Sequence, residues 1–344
     1  MTSNLQDPTS LIPGPQPFDG LDAECLLQAL DAQGFHPDGR IMALNSYENR
    51  VYQVGLDDLG FVIAKFYRPG RWSDEAILEE HALLAALVEA EIPVAAMLPD
   101  RHGQTLFHQA GFRFALCPRL AGRPPELEDP DTLEALGRLI ARVHLVLSTR
   151  VFKHRPSLNA ETFGLEPLMK ISVQRALRDD SRIERYLKIG EQALAGVRSL
   201  LEREDPLKTH PVHGDLYAGN ILMGPEGPIL LDLDDSRTAP PIQDLWMLAQ
   251  GDPRERRLAL DTLIEGYETF QTLPAGSLRM IEALRTLRLI HMTAWLIERQ
   301  GDPAFPSAYP HFDSDSDWAM RVVDLEDQVE RMAKVRDDGD CFPP

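Results

Sequence analysis

Cysteine is scarce in this chain: Cys25, Cys117 and Cys341 are three among 344 residues, widely separated and without a CxxC pair. That pattern excludes a zinc cluster or a disulfide framework, and an odd number of thiols points to a reducing compartment. No apolar run approaches the length of a membrane span. The first residues lack the basic and apolar stretches of a signal peptide, so a cytoplasmic protein is expected. Positive charge is also short, with 35 Lys+Arg against 54 Asp+Glu and a net charge of −19. A nucleic-acid binder needs a basic footprint to neutralise phosphates, and this balance argues against one, as it does against an anionic membrane surface. A phosphorylated ligand stays open, provided a few local cations and a metal offset its charge. What remains is ordinary for a globular protein, 43% hydrophobic and 26% charged, with length for two domains or one two-lobed unit.

Residues 1–20 carry Pro8, Pro13, Pro15 and Pro17 with Gly14 and Gly20, a composition that reads as a loose leader. A short amphipathic helix follows from Leu21, with Gly34 placed at its C-terminal end. Strands are expected at 50–54, 61–66, 104–107 and 112–117. Ser73 with Asp74 and Glu75 starts a longer helix to about residue 90. Beyond a hinge near 117–122 the chain turns helical, at 131–147, 183–203, 254–271 and 277–299. One hairpin interrupts it, ILM at 221–223 and ILLDLDD at 229–235 about the turn GPEGP. Strands first and helices afterwards predict an α+β molecule of two lobes, 21–118 and 119–333, with a frayed tail at 334–344.

The segment HGDLYAGNILMGPEGPILLDLDD, 213–235, carries the chemistry. Asn220 precedes one strand and Asp232 lies near the end of the next, so a hairpin returns both to one end. Asp215 lies on a glycine-flanked loop at that same end. Two carboxylates and an amide oxygen make an all-oxygen site suited to Mg²⁺, and the third group can meet a substrate proton as a base. An isolated HGD or DxD is more often a capped turn; three such features at this spacing reverse that judgement.

HGDLYAGN followed by a strand and LDLDD resembles the catalytic segment of aminoglycoside phosphotransferase and choline kinase-like enzymes, which share the two-lobed protein-kinase-like fold. The resemblance implies a small N-lobe with an antiparallel sheet and one long helix, and a larger, mainly helical C-lobe. It makes Asp215 the residue that orients or deprotonates the acceptor hydroxyl, and Asn220 and Asp232 the Mg²⁺ ligands. Spacing alone leaves Asp234, two residues on along the same strand face, open as a ligand; the family pattern favours Asp232. By the same analogy Lys65, in FVIAKF, clamps the phosphates of ATP, and Glu80, leading EHALLAAL, orients it. Adjacent helix residues point about 100° apart, so only one of Glu79 and Glu80 can serve.

No GxGxxG is present, and LNSYENRVYQV at 44–54 stands in its place, with small polar residues able to form a tight turn and offer donors to phosphate. Together with KFYRPGRWSDEAILEEH, IPVAA and PPIQDLWML it is similar to the bacterial stress response kinase A family, over nearly all of 21–330. Those are serine/threonine protein kinases on the aminoglycoside-kinase fold, and the resemblance associates Ser46 with ATP. It implies an ATP- and Mg²⁺-dependent kinase of protein Ser/Thr hydroxyls in stress response, expected to be monomeric; the alternative acceptor is a small-molecule hydroxyl. A non-catalytic binding module is disfavoured by Lys65, Asp215, Asn220 and Asp232 standing together.

Other residues read as structural. His144 and His213 pack or brace, Asp244 accepts hydrogen bonds from the catalytic loop, Trp246, Trp295 and Trp318 fill core or groove, and Arg68 and Arg71 are solvated charges. About nine residues separate Asp232 from Pro241, too few for a phosphorylation-controlled activation loop, and acceptor recognition falls to the helical lobe around 153–167.

Overall fold

The computed structural model describes residues 16–178, 180–203 and 208–338; residues 1–15 of the expected leader, and 339–344 with Cys341, lie outside them. Residues 17–20 form a turn, and Phe18 packs against the small-lobe core with its ring 4.6 Å from the Arg50 guanidinium.

Helix α1 (Ala23–Ala32) begins where the Asp22 carboxylate accepts the Cys25 N–H. The small lobe then builds a sheet from β1 (Pro37–Ala43), β2 (Arg50–Leu56) and β3 (Gly60–Tyr67). After α2 (Asp74–Glu89), capped by Ser73, it adds β4 (Phe107–Gln109) and β5 (Phe112–Pro118). The order is β1-β2-β3-β5-β4, every pairing antiparallel. Lys65 sits opposite Val51 on one side and Ala115 on the other, at the centre of the sheet. Below it Phe66 stacks on Phe114 at 5.0 Å, in a core shared with Leu26, Leu30 and Val54. The strand expected at 104–107 begins only at Phe107, and β1 is a strand that the polar composition of PDGRIMA concealed.

The large lobe holds α3 (Pro130–Leu147), α4 (Glu166–Arg178), preceded by a π-helical turn at Glu161–Leu165, and α5 (Ser181–Leu201). Strand β6 (His210–Val212) follows, then the hairpin of β7 (Ile221–Gly224) and β8 (Gly227–Leu230), and β9 (Arg237–Ala239), which returns to pair with β6. Helices α6 (Gln243–Trp246), α7 (Pro253–Glu268), α8 (Ile281–Arg299), α9 (Phe305–Ala308) and α10 (Asp315–Asp338) complete it. One continuous apolar core joins α3, α5, α7 and α8 and reaches α2 through Leu83, Leu84 and Leu87. That shared packing seats the small lobe on the large one.

Two further expectations are corrected. Helix α10 runs through 334–338, residues assigned to the tail. The strand expected over 229–235 stops at Leu230, and Leu233–Asp235 turns as a 3₁₀ helix.

Candidate active site

The cleft between the lobes is lined by three short segments, each shaped by its own sequence. The first is residues 213–220. Gly214 has φ +85°, and a Cβ there would collide with the Asp235 carbonyl, so only glycine lets the chain turn at this point. The loop hangs from Asp244, whose carboxylate accepts the backbone N–H of His213 (2.7 Å) and Gly214 (2.8 Å). His144 braces the same carboxylate at 3.0 Å and is itself bonded to the Tyr267 hydroxyl at 3.0 Å. Burial raises the Asp244 carboxyl and His144 with the loop donors more than offset it, leaving it below the usual carboxylate range. The structural reading of His144, His213 and Asp244 agrees with this arrangement.

At the end of that loop the Asn220 amide nitrogen donates to the Asp215 backbone carbonyl at 2.9 Å, which leaves its oxygen as the group to meet a cation. The hairpin register, Ile221 opposite Leu230, places Asn220 across from Leu231, whose N–H it accepts at 2.9 Å. Asp232 comes next, in the left-handed region at φ 53° and ψ 73°. An aspartate held there is a strained backbone that the surroundings enforce. Its side chain is 50% exposed, and one oxygen meets the Lys65 ammonium at 2.9 Å. Asp232 and Asn220 thus offer two hard oxygen donors, the number Mg²⁺ takes from protein when substrate phosphates and waters complete its shell.

Asp234 is elsewhere. The 3₁₀ turn breaks the strand face that it was expected to share with Asp232, and its carboxylate is 3% exposed. Arg71 and Asn49 (3.2 Å) hold one oxygen, and Lys65 lies 3.4 Å from the other. With its charge so committed, Asp234 is a buried counter-ion of the turn. Arg71 bonds Asp235 at 2.8 Å as well, and Arg68 reaches Asp302 at 2.5 Å. Neither arginine is the solvated charge that sequence suggested: both are mostly buried, and both stitch the lobes together.

The second segment is β3 with α2. Lys65 has its ammonium 3.2 Å from Glu80, whose side chain is fully buried. Burial would lower the Lys65 pKa, but Asp232, Asp234 and Glu80 overcome it, holding the ammonium well above the ordinary lysine value. Burial pushes the Glu80 carboxyl up against the pull of Lys65 and Arg155. Glu79 instead accepts the backbone N–H groups of Lys153, His154 and Arg155 at 2.7, 3.1 and 3.1 Å.

Arg155 was not singled out in the sequence. Its guanidinium donates to Glu80 (3.2 Å), to the carbonyls of Ala76 (2.7 Å) and Asp234 (2.7 Å), and to Ser236 (3.1 Å). One large-lobe side chain therefore fixes α2 and the 232–235 turn together, and the stretch at 153–167 is built partly into the lobe junction. A lone arginine in a mixed loop gives no signal of this. Arg288 was missed too: it pairs with Asp215 at 2.6 Å from α8. Its signal was available, because Arg288, His291, Trp295 and Arg299 recur at helical spacing along one stripe.

The third segment is the turn at 44–49 between β1 and β2, with Ser46 half-buried in it and Asn49 buried on Asp234. Cys117 lies on β5 at the junction of the lobes; burial pushes its thiol up to about 11, which makes it a poor nucleophile.

Comparison with known proteins then supplies context. A profile described as the phosphotransferase enzyme family matches residues 40–279. A protein of Escherichia coli O157:H7 named stress response kinase A is 39% identical over 312 residues, 91% of this chain and 94% of the relative. A serine/threonine protein kinase RdoA of Salmonella typhimurium shows the same identity and coverage. Among solved structures, an amicoumacin kinase bound to AMP-PNP superposes with a TM-score of 0.69 at 19% identity, covering 90% of this chain and 93% of that one. A microcompartment-associated aminopropanol kinase gives 0.66 at 18% identity, over 94% and 99%. At such identities these two speak for the fold alone.

Proposed function

The chain belongs to the phosphotransferase enzyme family and is an ATP-dependent kinase, and from that premise we propose that it phosphorylates serine and threonine hydroxyls of proteins in a stress response. The observation that carries the reading is the convergence on Lys65, which bonds Glu80 on α2 and Asp232 at the end of the hairpin. Asp215 stands on the neighbouring loop, fixed to that hairpin through Asn220. Phosphoryl transfer asks a protein for positioning and charge neutralisation, and these groups supply both.

Lys65, kept cationic by its three acidic neighbours, binds phosphate oxygens of ATP, and Glu80 holds it in place. Ser46 and its turn cover the phosphates. Arg288 engages one Asp215 oxygen, leaving the other to accept the hydrogen bond of the incoming hydroxyl. As the hydroxyl oxygen bonds to the γ-phosphorus, the bond to the ADP oxygen breaks and the proton passes to Asp215. Asp232 and Asn220 would hold Mg²⁺, which when bound neutralises charge on the phosphates.

Among the described residues no helix is long and apolar enough to cross a membrane. We take the enzyme to act as a cytoplasmic monomer. The test is labelling with γ-³²P-ATP and Mg²⁺, wild type against Asp215→Asn, with enzyme alone and with cell extract. Asp215-dependent label on extract proteins is the expected result. Label confined to soluble small molecules would move the acceptor to that class, a reading that the short 232–241 segment also suits.

A further inference from the structure

The turn between β1 and β2 has no glycine, and much of what holds it comes from outside its own lobe. The Tyr47 ring sits edge-on against Trp295 (5.4 Å), Tyr309 (5.5 Å) and Phe305 (6.5 Å), and its hydroxyl donates to Asp302 at 3.3 Å. Burial and the Asp302 charge push that hydroxyl up to about 12, so it stays a donor. Glu48 accepts two bonds from Arg299 (2.8 and 3.1 Å) and one from the Trp295 indole (3.1 Å), while Arg68 stands 3.1 Å away. Arg68 also pairs with Asp302, closing a ring of Tyr47, Glu48, Arg68, Arg299 and Asp302. Each of the four charged members has a side chain no more than 15% exposed. Arg68, Arg71 (3.5 Å from Glu48) and Arg50 (3.3 Å from the Tyr47 carbonyl) reach the turn from the small lobe, while Trp295, Arg299, Asp302, Phe305 and Tyr309 reach it from the large lobe, on α8, α9 and the loops beside them.

We propose that Tyr47 and Glu48 are positioning residues for ATP: anchored to Trp295, Arg299 and Asp302, they fix the turn so that Ser46 and its neighbours meet the phosphates. The idea rests on reading 44–49 as the nucleotide turn. A glycine-rich loop reaches phosphate by freedom of the backbone; a polar turn of ordinary residues reaches it only if something over-determines its shape. Buried charge pairs contribute little net stability, but they fix geometry, and losing one partner leaves the other uncompensated. Helix α8 touches the catalytic loop at Arg288 and the nucleotide turn at Trp295 and Arg299. It therefore sets the distance between the two.

The experiment measures nucleotide affinity by direct titration, together with kcat and KM for ATP, on the full chain. Glu48→Gln should weaken ATP binding about tenfold or more, the scale of one lost charge-assisted bond, and Tyr47→Ala by a similar factor through loss of the ring from Trp295, Tyr309 and Phe305, the 3.3 Å hydroxyl bond being the weaker hold. At saturating ATP, kcat should remain within about twofold, since the acceptor side is untouched. Tyr47→Phe keeps the ring and should stay within about threefold of wild type. Should Tyr47→Ala fail to fold, Arg299→Gln tests the clasp from its other side and should weaken ATP binding likewise. A merely structural clasp would lower thermal stability and leave KM for ATP unchanged, and that result overturns the proposal. Lys65→Ala is the reference: wild-type affinity there would overturn the nucleotide-site reading and the clasp with it. Weakened binding in Lys65→Ala beside normal binding in Tyr47→Ala and Glu48→Gln would overturn the clasp alone.

Discussion

Residues 213–220 and residues 44–49 face one cleft and are held there by different means. The catalytic loop is propped from within its own lobe: Asp244, His144 and Tyr267 form a buried chain beneath it, and Gly214 supplies the one backbone angle that other residues resist. The turn at 44–49 is held only in part by its own lobe, where the Arg68 backbone N–H donates to Asn49 at 3.1 Å and the Arg68 guanidinium meets Glu48. The rest of its hold comes from Trp295, Arg299, Asp302 and Asp234, each far away in sequence and across the cleft. The loop at 213–220 therefore has its prop within the large lobe, whereas the turn at 44–49 gains its aromatic contacts and its bonds to Arg299, Asp302 and Asp234 only where the lobes are docked. Arg155 and Arg71 serve that docking from opposite sides, the first reaching α2, the second the 232–235 turn.

The comparison is broken most sharply by Asp215→Asn. Turnover should fall about 10²–10⁴-fold, the usual size of a general-base contribution, while ATP affinity stays near wild type. Steady-state kinetics alongside nucleotide titration separates the two, and a loss of both would mean that the two segments are one unit.

Asp244→Ala attacks the prop itself. It leaves two buried N–H groups and His144 without an acceptor, and the expected cost is about 3–5 kcal/mol in unfolding free energy. Urea denaturation measures it. Turnover should drop more than ATP affinity does, because the catalytic loop and not the nucleotide turn has lost its support.

How much of this was legible in the sequence follows from the same contrast. Local patterns carried the lobes, the cap at Ser73, the hairpin, and the segment holding Asp215, Asn220 and Asp232, because turn chemistry and periodicity act over a few residues. Glu80 was separated from Glu79 by a likeness to the family's helix, and the geometry puts Glu80 on Lys65. Illegible were the charges whose partners lie more than a hundred residues off: Arg68 and Arg71 read as solvated because nothing nearby in the chain could bury them. The expected strand face shared by Asp232 and Asp234 fails for a subtler reason. An apolar-acid alternation reads as a strand, but the strand stops at Leu230 and Asp232 takes a left-handed angle, which aspartate adopts too seldom for sequence to announce it.

Acid exposes a weakness common to both sides. Burial pushes His81, behind Lys65, down to about 3, and His210, against His144, down to about 4. Both lie below the ordinary histidine value near 6.5, so below that pH the unfolded chain takes protons that the native one refuses. Stability should therefore fall as pH drops from about 6.5 to 4, by up to about 1.4 kcal/mol per pH unit for each group. His81→Gln and His210→Gln should each flatten the denaturant midpoint against pH in that window, and an unchanged slope would show those rings already protonated.

The smallest effect should come from Ser46→Ala. The turn's shape depends on Tyr47, Glu48 and Asn49, held by Arg68 and by residues across the cleft, so removing the Ser46 hydroxyl leaves the fold of the segment intact. What it removes is at most one hydrogen bond to phosphate, about 0.5–1.5 kcal/mol, or a rise of roughly two- to twelvefold in KM for ATP at unchanged thermal stability. The size of that rise beside the Glu48→Gln value ranks the two contributions. A larger loss from Ser46→Ala would make the hydroxyl, and not the hold from the large lobe, the main source of phosphate affinity in a turn that has no glycine.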